Sequence, residues 1–195
     1  MRTREPNSDH DSLSTSGPRR AFRLHPFASL IACGLGSGLS PIAPGTAGSA
    51  VALVFAWLLA SALGASHVPS LAAGVGLLAS GLVLAAVGIP AATRVARVIG
   101  AKDPGCVVID EFAGQFLASC PLPLFRFETG AARAAAWILS FLLFRLFDIW
   151  KPGPIRRLQE LPEGLGIVID DVLAGLLAAG GTVVASTVLG RGPWG

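Results

Sequence analysis

The sequence has little charge for its length. Asp, Glu, Lys and Arg make up 14% of its 195 residues, whereas 52% of the residues are hydrophobic. An ordinary soluble domain carries about 25% charged residues. The mean hydropathy of +0.65 agrees with this imbalance. The shortage of charge argues against a soluble globular domain and favours a single membrane-associated domain.

Cysteine is also scarce, and so is any pattern typical of nucleic-acid binding. The three cysteines, Cys33, Cys106 and Cys120, are odd in number and lie in apolar sequence, so we expect buried thiols and no disulfide framework. The net charge is +3, but the basic residues lie at the ends of apolar runs and are not interleaved with aromatic residues. The charge therefore suits an anionic lipid surface, and we expect no nucleic-acid partner.

The first 26 residues lack the apolar core of a secretory signal. Their polar, irregular composition predicts a disordered arm over residues 1–26. The arginines in this arm precede the first apolar segment, which places the arm in the cytoplasm by the positive-inside rule. An organelle-targeting signal is the alternative, but the arm lacks a sustained helical period. A helical membrane domain over residues 27–190 and a short tail over residues 191–195 would follow.

Apolar segments predict an all-α, multi-helix bundle associated with the membrane. A helix needs about 20 apolar residues to cross a bilayer. The segment that ends at Pro121 and Pro123 is short for a full crossing and predicts partial immersion. We expect about five apolar helices, over residues 47–68, 68–93, 107–124, 131–150 and 167–189.

A Gly/Pro-rich stretch over residues 33–49, CGLGSGLSPIAPGTAGS, predicts a shaped loop because it breaks any regular helix. Glycines let backbone N–H groups approach an anion, and the hydroxyls of Ser37, Ser40, Thr46 and Ser49 add donors. The same composition suits a tight connection between packed helices, and the lysine of a P-loop is missing. Both interpretations stay open on this stretch alone.

Two acidic doublets occur in similar apolar contexts. Residues 107–114 read VVIDEFAG and residues 167–175 read IVIDDVLAG. Ionised groups in apolar segments are costly unless they are paired, metal-bound or hydrated, and neighbouring carboxylates repel one another unless a cation offsets the repulsion. Helix capping explains one carboxylate but not two matching doublets. Since Mg²⁺ prefers oxygen ligands, we predict that it binds Asp110, Glu111, Asp170 and Asp171.

Positive charge is concentrated between the last two apolar segments, over residues 144–171. Arg145 lies one helical turn before Asp148, so a simple pair between them is the competing explanation for both residues. Lys151 and Arg156 lie beside prolines in a short connection and are better candidates for binding a substrate phosphate. The predicted topology brings this connection, the residue 33–49 loop and both acidic doublets to one membrane face.

Four ordered motifs resemble the phosphatidylglycerophosphatase A family of bacterial membrane phosphatases. They are GSGLSPIAPGTAGS at residues 36–49, DEFAG at 110–114, FRLFDIWKPGPIR at 144–156 and GLGIVIDDVLAG at 164–175. The resemblance covers roughly residues 27–190. It implies an all-helical, Mg²⁺-dependent enzyme of the bacterial inner membrane, with its site facing the cytoplasm. Its substrate would be phosphatidylglycerophosphate, which it would convert to phosphatidylglycerol.

The mechanism we expect is phosphoryl transfer assisted by Mg²⁺. Attack by water and an aspartyl-phosphate intermediate both stay open. The expected catalytic residues are Asp148, Lys151 and Asp171. The expected substrate-binding residues are Ser37, Ser40, Thr46, Arg145, Lys151 and Arg156.

A small membrane transporter with an intramembrane carboxylate cation site is the alternative function. Broken helices with buried carboxylates also mark transport sites, which lie near the bilayer midplane. The predicted topology instead places the carboxylates at the edge of the membrane. The sequence determines neither the number of metal ions nor the oligomeric state.

Overall fold

The computed structural model describes residues 9–64 and 69–189; of residues 9–16, Pro154 and Ile155 it describes only the backbone. No β-strand occurs in these ranges, which confirms the all-α fold. The predicted tail and His67, in the predicted turn, lie outside the described residues. The helices are α1 (Asp9–Leu24), α2 (Pro26–Ala32), α3 (Pro44–Ala62), α4 (Leu71–Ile99), α5 (Ile109–Ser119), α6 (Gly130–Trp150), α7 (Pro154–Leu158) and α8 (Glu163–Leu189), with short 3-10 turns at Gly34–Leu39 and Leu122–Leu124.

Four helices, α3, α4, α6 and α8, are long and apolar enough to cross a membrane. Many of their large aliphatic side chains point away from the bundle, among them Val83 on α4, Leu142 on α6 and Val184 on α8. Aliphatic surfaces of this kind are stable against lipid tails. A helix also satisfies all of its backbone polar groups internally, as the bilayer requires. The chain is therefore a membrane protein, as its composition predicts.

The short apolar segment forms the central helix of the bundle. α5 has 11 residues, all of them buried. A helix of this length spans about 16 Å, roughly half of the hydrocarbon core. It packs against α3, α4, α6 and α8, which shield it from lipid. The predicted partial immersion thus takes the form of a helix enclosed by four longer ones.

Two glycines let α5 and α8 touch along their backbones. A Cβ atom on Gly175 would overlap the carbonyl oxygen of Gly114 and would lie 2.9 Å from its Cα. A Cβ atom on Gly114 would overlap the Phe144 ring and would lie 2.7 Å from the carbonyl oxygen of Asp171. Because no side chain separates the two helices here, residues one turn toward their N-termini also meet.

The N-terminal arm differs from the sequence prediction. α1 occupies much of the stretch that we expected to be disordered, and Ala21 on it is 1% exposed. A Cβ atom on Gly17 would contact the Ile99 side chain at 3.3 Å, so α1 lies close against α4. The stretch is polar on average and contains Pro18, so its composition did not favour a packed helix. Residues 1–8 lie outside the described part of the chain.

Candidate active site

Three carboxylates from two helices meet at one end of the bundle. Asp110 and Glu111 lie in the first turn of α5, and Asp171 lies on α8. One oxygen from each lies within 4.8 Å of the others. All three residues are buried, and Asp171 is only 2% exposed. The contact between Gly114 and Gly175 explains the meeting, because Asp110 and Asp171 each precede their glycine by about one helical turn.

Asp110, Glu111 and Asp171, together called the carboxylate group, have unsatisfied hydrogen-bonding capacity. Asp110 Oδ1 and Glu111 Oε2 are buried without a hydrogen-bond partner. Burial raises the pKa of the Asp110 carboxyl, and the nearby Glu111 and Asp171 raise it further. Burial also raises the pKa of Glu111. Buried charge of one sign is costly unless it is compensated, and a divalent cation with oxygen ligands would compensate it. The residues fit Mg²⁺.

Asp170 is separated from this group. Its Oδ2 accepts a hydrogen bond from Lys151 Nζ at 2.5 Å, and its Oδ1 accepts one from the Asp171 backbone N–H at 3.1 Å. The predicted set of four metal ligands is therefore divided into three clustered carboxylates and one carboxylate that binds a lysine.

Asp148 and Lys151 connect α6 with α8. Asp148 Oδ2 lies 2.7 Å from Arg145 Nη1, and Asp148 Oδ1 lies 3.3 Å from Lys151 Nζ. Lys151 Nζ also lies 3.8 Å from Asp171 Oδ1. Burial lowers the Lys151 pKa, but the charges of Asp171, Asp170 and Asp148 outweigh it and raise that pKa above its ordinary value. Lys151 is therefore a positive charge placed beside the carboxylate group, and Asp148 holds both basic side chains.

The first turn of α3 completes the wall of the site. Arg145 Nη1 donates a hydrogen bond of 3.3 Å to Ser49 Oγ, which donates one of 2.9 Å to the Gly45 carbonyl oxygen. A Cβ atom on Gly45 would overlap Glu111 Oε1 and would lie 3.6 Å from Arg145 Nη1. Only glycine allows the backbone this close to the acid and the base. The end of the Gly/Pro-rich loop thus lies against both charged side chains.

The other predicted substrate-binding side chains lie apart from these contacts. Ser37 Oγ donates to the Gly34 carbonyl oxygen at 2.8 Å, and Ser40 Oγ donates to the Ile42 carbonyl oxygen at 2.9 Å. Both bonds stabilise the shape of the loop. Thr46 is exposed on the first turn of α3, and Arg156 is exposed on α7. A role for these residues in binding substrate stays a prediction.

A cavity of about 240 Å³ opens beside the carboxylate group. Asp110, Asp170 and Lys151 line it together with Lys102, Asp103 and Gln159, which sequence reasoning missed. The turn that contains Lys102 and Asp103 joins α4 to α5 at the end where Asp110 lies. The order of the helices therefore places this turn at the same end as the other predicted site residues, which is the signal in the sequence that indicates it.

Comparison with known proteins identifies relatives over most of the chain. Residues 30–186 match the model of a family described as Phosphatidylglycerophosphatase A. A protein of that name from Escherichia coli is 38% identical over 152 residues, which cover 77% of this chain and 78% of the relative. The Haemophilus influenzae protein of the same name is 36% identical over 168 residues, 85% of this chain and 93% of the relative.

One further relative has a different printed name. A Bacteroides thetaiotaomicron protein named "Putative phosphatidylinositol-3-phosphatase" is 35% identical over 161 residues, which cover 83% of this chain and 94% of the relative. The three relatives thus carry two different names, and both names are those of phosphatases. No solved structure matches the chain.

Proposed function

Since this chain belongs to the phosphatidylglycerophosphatase A family, we propose that it hydrolyses the phosphate monoester of phosphatidylglycerophosphate to release phosphatidylglycerol. The observation that carries the proposal is the group formed by Asp110, Glu111 and Asp171, with Lys151 beside it. Phosphoryl transfer requires positive charge beside the reacting phosphate, because the phosphate oxygens are negative throughout. Lys151 supplies one such charge, and the three carboxylates are suited to hold a metal ion that would supply more.

Asp110, Glu111 and Asp171 would hold Mg²⁺, which supplies charge neutralisation at a phosphate oxygen and activation of water when bound. The unsatisfied oxygens of Asp110 and Glu111 support this assignment. Asp170 was predicted to be a metal ligand. It would instead orient Lys151 through their 2.5 Å contact.

The basic side chains would bind the phosphoryl oxygens. Lys151 keeps its proton because three carboxylates surround it, and Arg145 is held through its Nη1 atom by both Asp148 and Ser49. Side chains fixed in this way lose little conformational freedom when the substrate arrives, so they stabilise transferred charge without reorganising. Asp148 then has a positioning role.

The site would face the cytoplasm from the bacterial inner membrane. Arg94, Arg97 and Lys102 lie near the end of α4 at which the site forms, and Arg156 and Arg157 lie on α7 at the same end. Basic residues accumulate on cytoplasmic segments. The alternative of a small transporter gains no support from the relatives, which are all named as phosphatases.

Phosphate release from defined lipids tests the proposed function. The purified protein in neutral detergent micelles should release phosphate from phosphatidylglycerophosphate with Mg²⁺ and should stop when a chelator removes the ion. Phosphatidic acid and phosphatidylinositol 3-phosphate serve as comparison substrates, because one relative is named for the latter. Faster release from either comparison lipid would contradict the proposed substrate.

Variants of the carboxylate group test the site assignment in the same assay. Asp110→Asn and Asp171→Asn should each lower kcat by about 100-fold or more, because each removes one of the anionic oxygens that hold the cation. Glu160→Gln is a matched control, since it also removes one carboxylate but lies exposed outside the cluster. Retained turnover in both Asn variants would overturn the assignment of the metal site.

A further inference from the structure

A second cavity adjoins the candidate active site. Its volume is about 740 Å³, and its walls come from α1, the Gly/Pro-rich loop and the turn between α4 and α5. Arg19, Leu39, Ser40 and Asp103 are among the residues that line it. Asp103 also lines the cavity beside the carboxylate group, so the two cavities share a wall.

The helix that supplies Arg19 lies outside the part of the chain that matches the family, which begins at residue 30. α1 is nevertheless packed on the bundle through Ala21 and Gly17. Its position places an exposed guanidinium at the cavity. This basic wall therefore lies outside the residues that match the family model.

The rim of this cavity suits a lipid at the membrane surface. Leu39 lines it with a half-exposed side chain, and nearby Ile42 is 81% exposed. Exposed aliphatic side chains next to an arginine are typical of a membrane–water interface, where the apolar groups enter the acyl region and the guanidinium meets lipid phosphate. A lipid with its acyl chains toward Leu39 and Ile42 would bring its headgroup into the cavity.

The headgroup of phosphatidylglycerophosphate has two anionic groups with one hydroxyl between them. The terminal phosphate monoester is the reacting group, and the phosphodiester joins the headgroup to the acyl-bearing glycerol. Two adjoining cavities with a carboxylate in the shared wall match this order: the carboxylate group with Lys151 suits the monoester, Asp103 suits the hydroxyl as an acceptor, and Arg19 suits the diester.

We propose that the α1-lined cavity binds the phosphodiester of the lipid headgroup, with Arg19 as its cationic partner and Asp103 as the acceptor for the headgroup hydroxyl. This inference rests on the proposed function for the identity of the lipid. Arg19 and Asp103 thereby favour lipids that contain both a diester and a monoester over phosphatidic acid, which has no diester.

The two products of the reaction probe the two cavities separately. Phosphatidylglycerol contains the diester, whereas inorganic phosphate resembles the monoester end. Binding of phosphatidylglycerol diluted into neutral detergent micelles should weaken by about fivefold in Arg19→Gln, the factor expected for one exposed charge-assisted contact. Inhibition by inorganic phosphate and kcat should stay unchanged, while the KM for phosphatidylglycerophosphate should rise by a similar factor.

Arg20→Gln is the matched control. Arg20 is the exposed neighbour of Arg19 on the same helix and is not among the residues that line the cavity. It should leave phosphatidylglycerol binding unchanged, which distinguishes a specific contact from general attraction of the arm to anionic lipid. Equal weakening in both variants, or no weakening in Arg19→Gln, would overturn the inference.

The binding measurement also separates this inference from the proposed function. If the wild-type protein releases no phosphate from phosphatidylglycerophosphate, the proposed function fails whatever the binding data show. If it does release phosphate and Arg19→Gln binds phosphatidylglycerol as tightly as wild type, the diester site alone fails.

Discussion

At the scale of single residues, Lys151 has the most demanding position in the site. It ends α6 in a left-handed backbone conformation with φ of 43°, which residues other than glycine rarely adopt. This turn directs its ammonium group to Asp148 on its own helix and to Asp170 and Asp171 on α8. Strain of this kind persists where the surrounding contacts compensate for it.

Lys151→Met should lower kcat by about 100-fold, the loss typical for removing one preorganised group that stabilises transferred charge. It should also destabilise the fold by about 1–3 kcal/mol, because Asp170 would lose its buried charged partner. Phosphate release and thermal unfolding in detergent measure the two effects. Arg157→Met is the control, since it removes an exposed positive charge nearby. Normal turnover in Lys151→Met would show that the lysine does not meet the phosphate.

The sequence predicted that most of these residues lie together but did not predict the contacts between them. Carboxylates in apolar sequence require compensation, so Asp110, Glu111 and Asp171 were recognisable before the fold was known. The same reasoning placed Asp170 with them, because it aligned the two motifs at their aliphatic triplets. The helices instead meet at Gly114 and Gly175, and counting back from those glycines makes Asp171 the counterpart of Asp110.

At the scale of elements, the crossing of α5 and α8 sets the geometry of the carboxylate group. The close approach at Gly114 and Gly175 leaves no room for a methyl group. An enclosed α5 with no charged side chain beyond its first turn presents Asp110 and Glu111 at one end only. The separation of the carboxylates therefore depends on how closely the two helices pack.

Gly175→Ala should separate the helices and destabilise the protein by about 1–3 kcal/mol, the usual cost of overpacking. Activity should fall as well, because Asp110 and Asp171 would move apart. Gly180→Ala is the control on the same helix, where an added Cβ atom would meet nothing within 4 Å. Thermal unfolding and phosphate release of both variants test this. Equal behaviour of the two variants would contradict the role of the glycine contact.

The helices differ in how well the sequence predicts them. The four long helices were predictable, because a run of about 20 apolar residues crosses a bilayer as a helix whose backbone polar groups are all satisfied within it. α1 was not, because its sequence is polar on average and contains Pro18, and because Gly17 meets Ile99 of α4 without a side chain of its own. Close packing through small residues is decided by shape, which hydrophobic patterns do not record.

At the scale of the whole molecule, the hairpin order brings three separated stretches to one end. α4 leads toward the site and α5 leads away from it, while α6 returns to it and α8 begins near it. At the opposite end, the Ser70 backbone N–H donates to the Pro123 carbonyl oxygen at 2.7 Å, so those two connections lie together. The proposed cytoplasmic orientation makes these two ends chemically distinguishable.

Labelling with a membrane-impermeant thiol reagent tests the orientation. Glu160→Cys, near the site, should react from the cytoplasmic side, and Arg126→Cys, at the opposite end, should react from the outside. Both positions are exposed, so the reagent can reach them if it is on the correct side. The unsubstituted protein gives the background from its own cysteines. The reverse pattern would contradict a cytoplasmic site.

The sequence by itself predicted a helical membrane protein whose acidic and basic groups gather at one end of the helices. Both follow from local rules: apolar length requires spanning helices, and ionised groups must lie where they are compensated. Only the tertiary structure decided which carboxylates form the group, that Asp170 binds Lys151, and that Arg19 and Asp103 line a neighbouring cavity. The first two outcomes depend on where α5 and α8 touch, because a shift of one residue in that contact turns a different side chain into the site. The third depends on how α1 packs against the turn between α4 and α5.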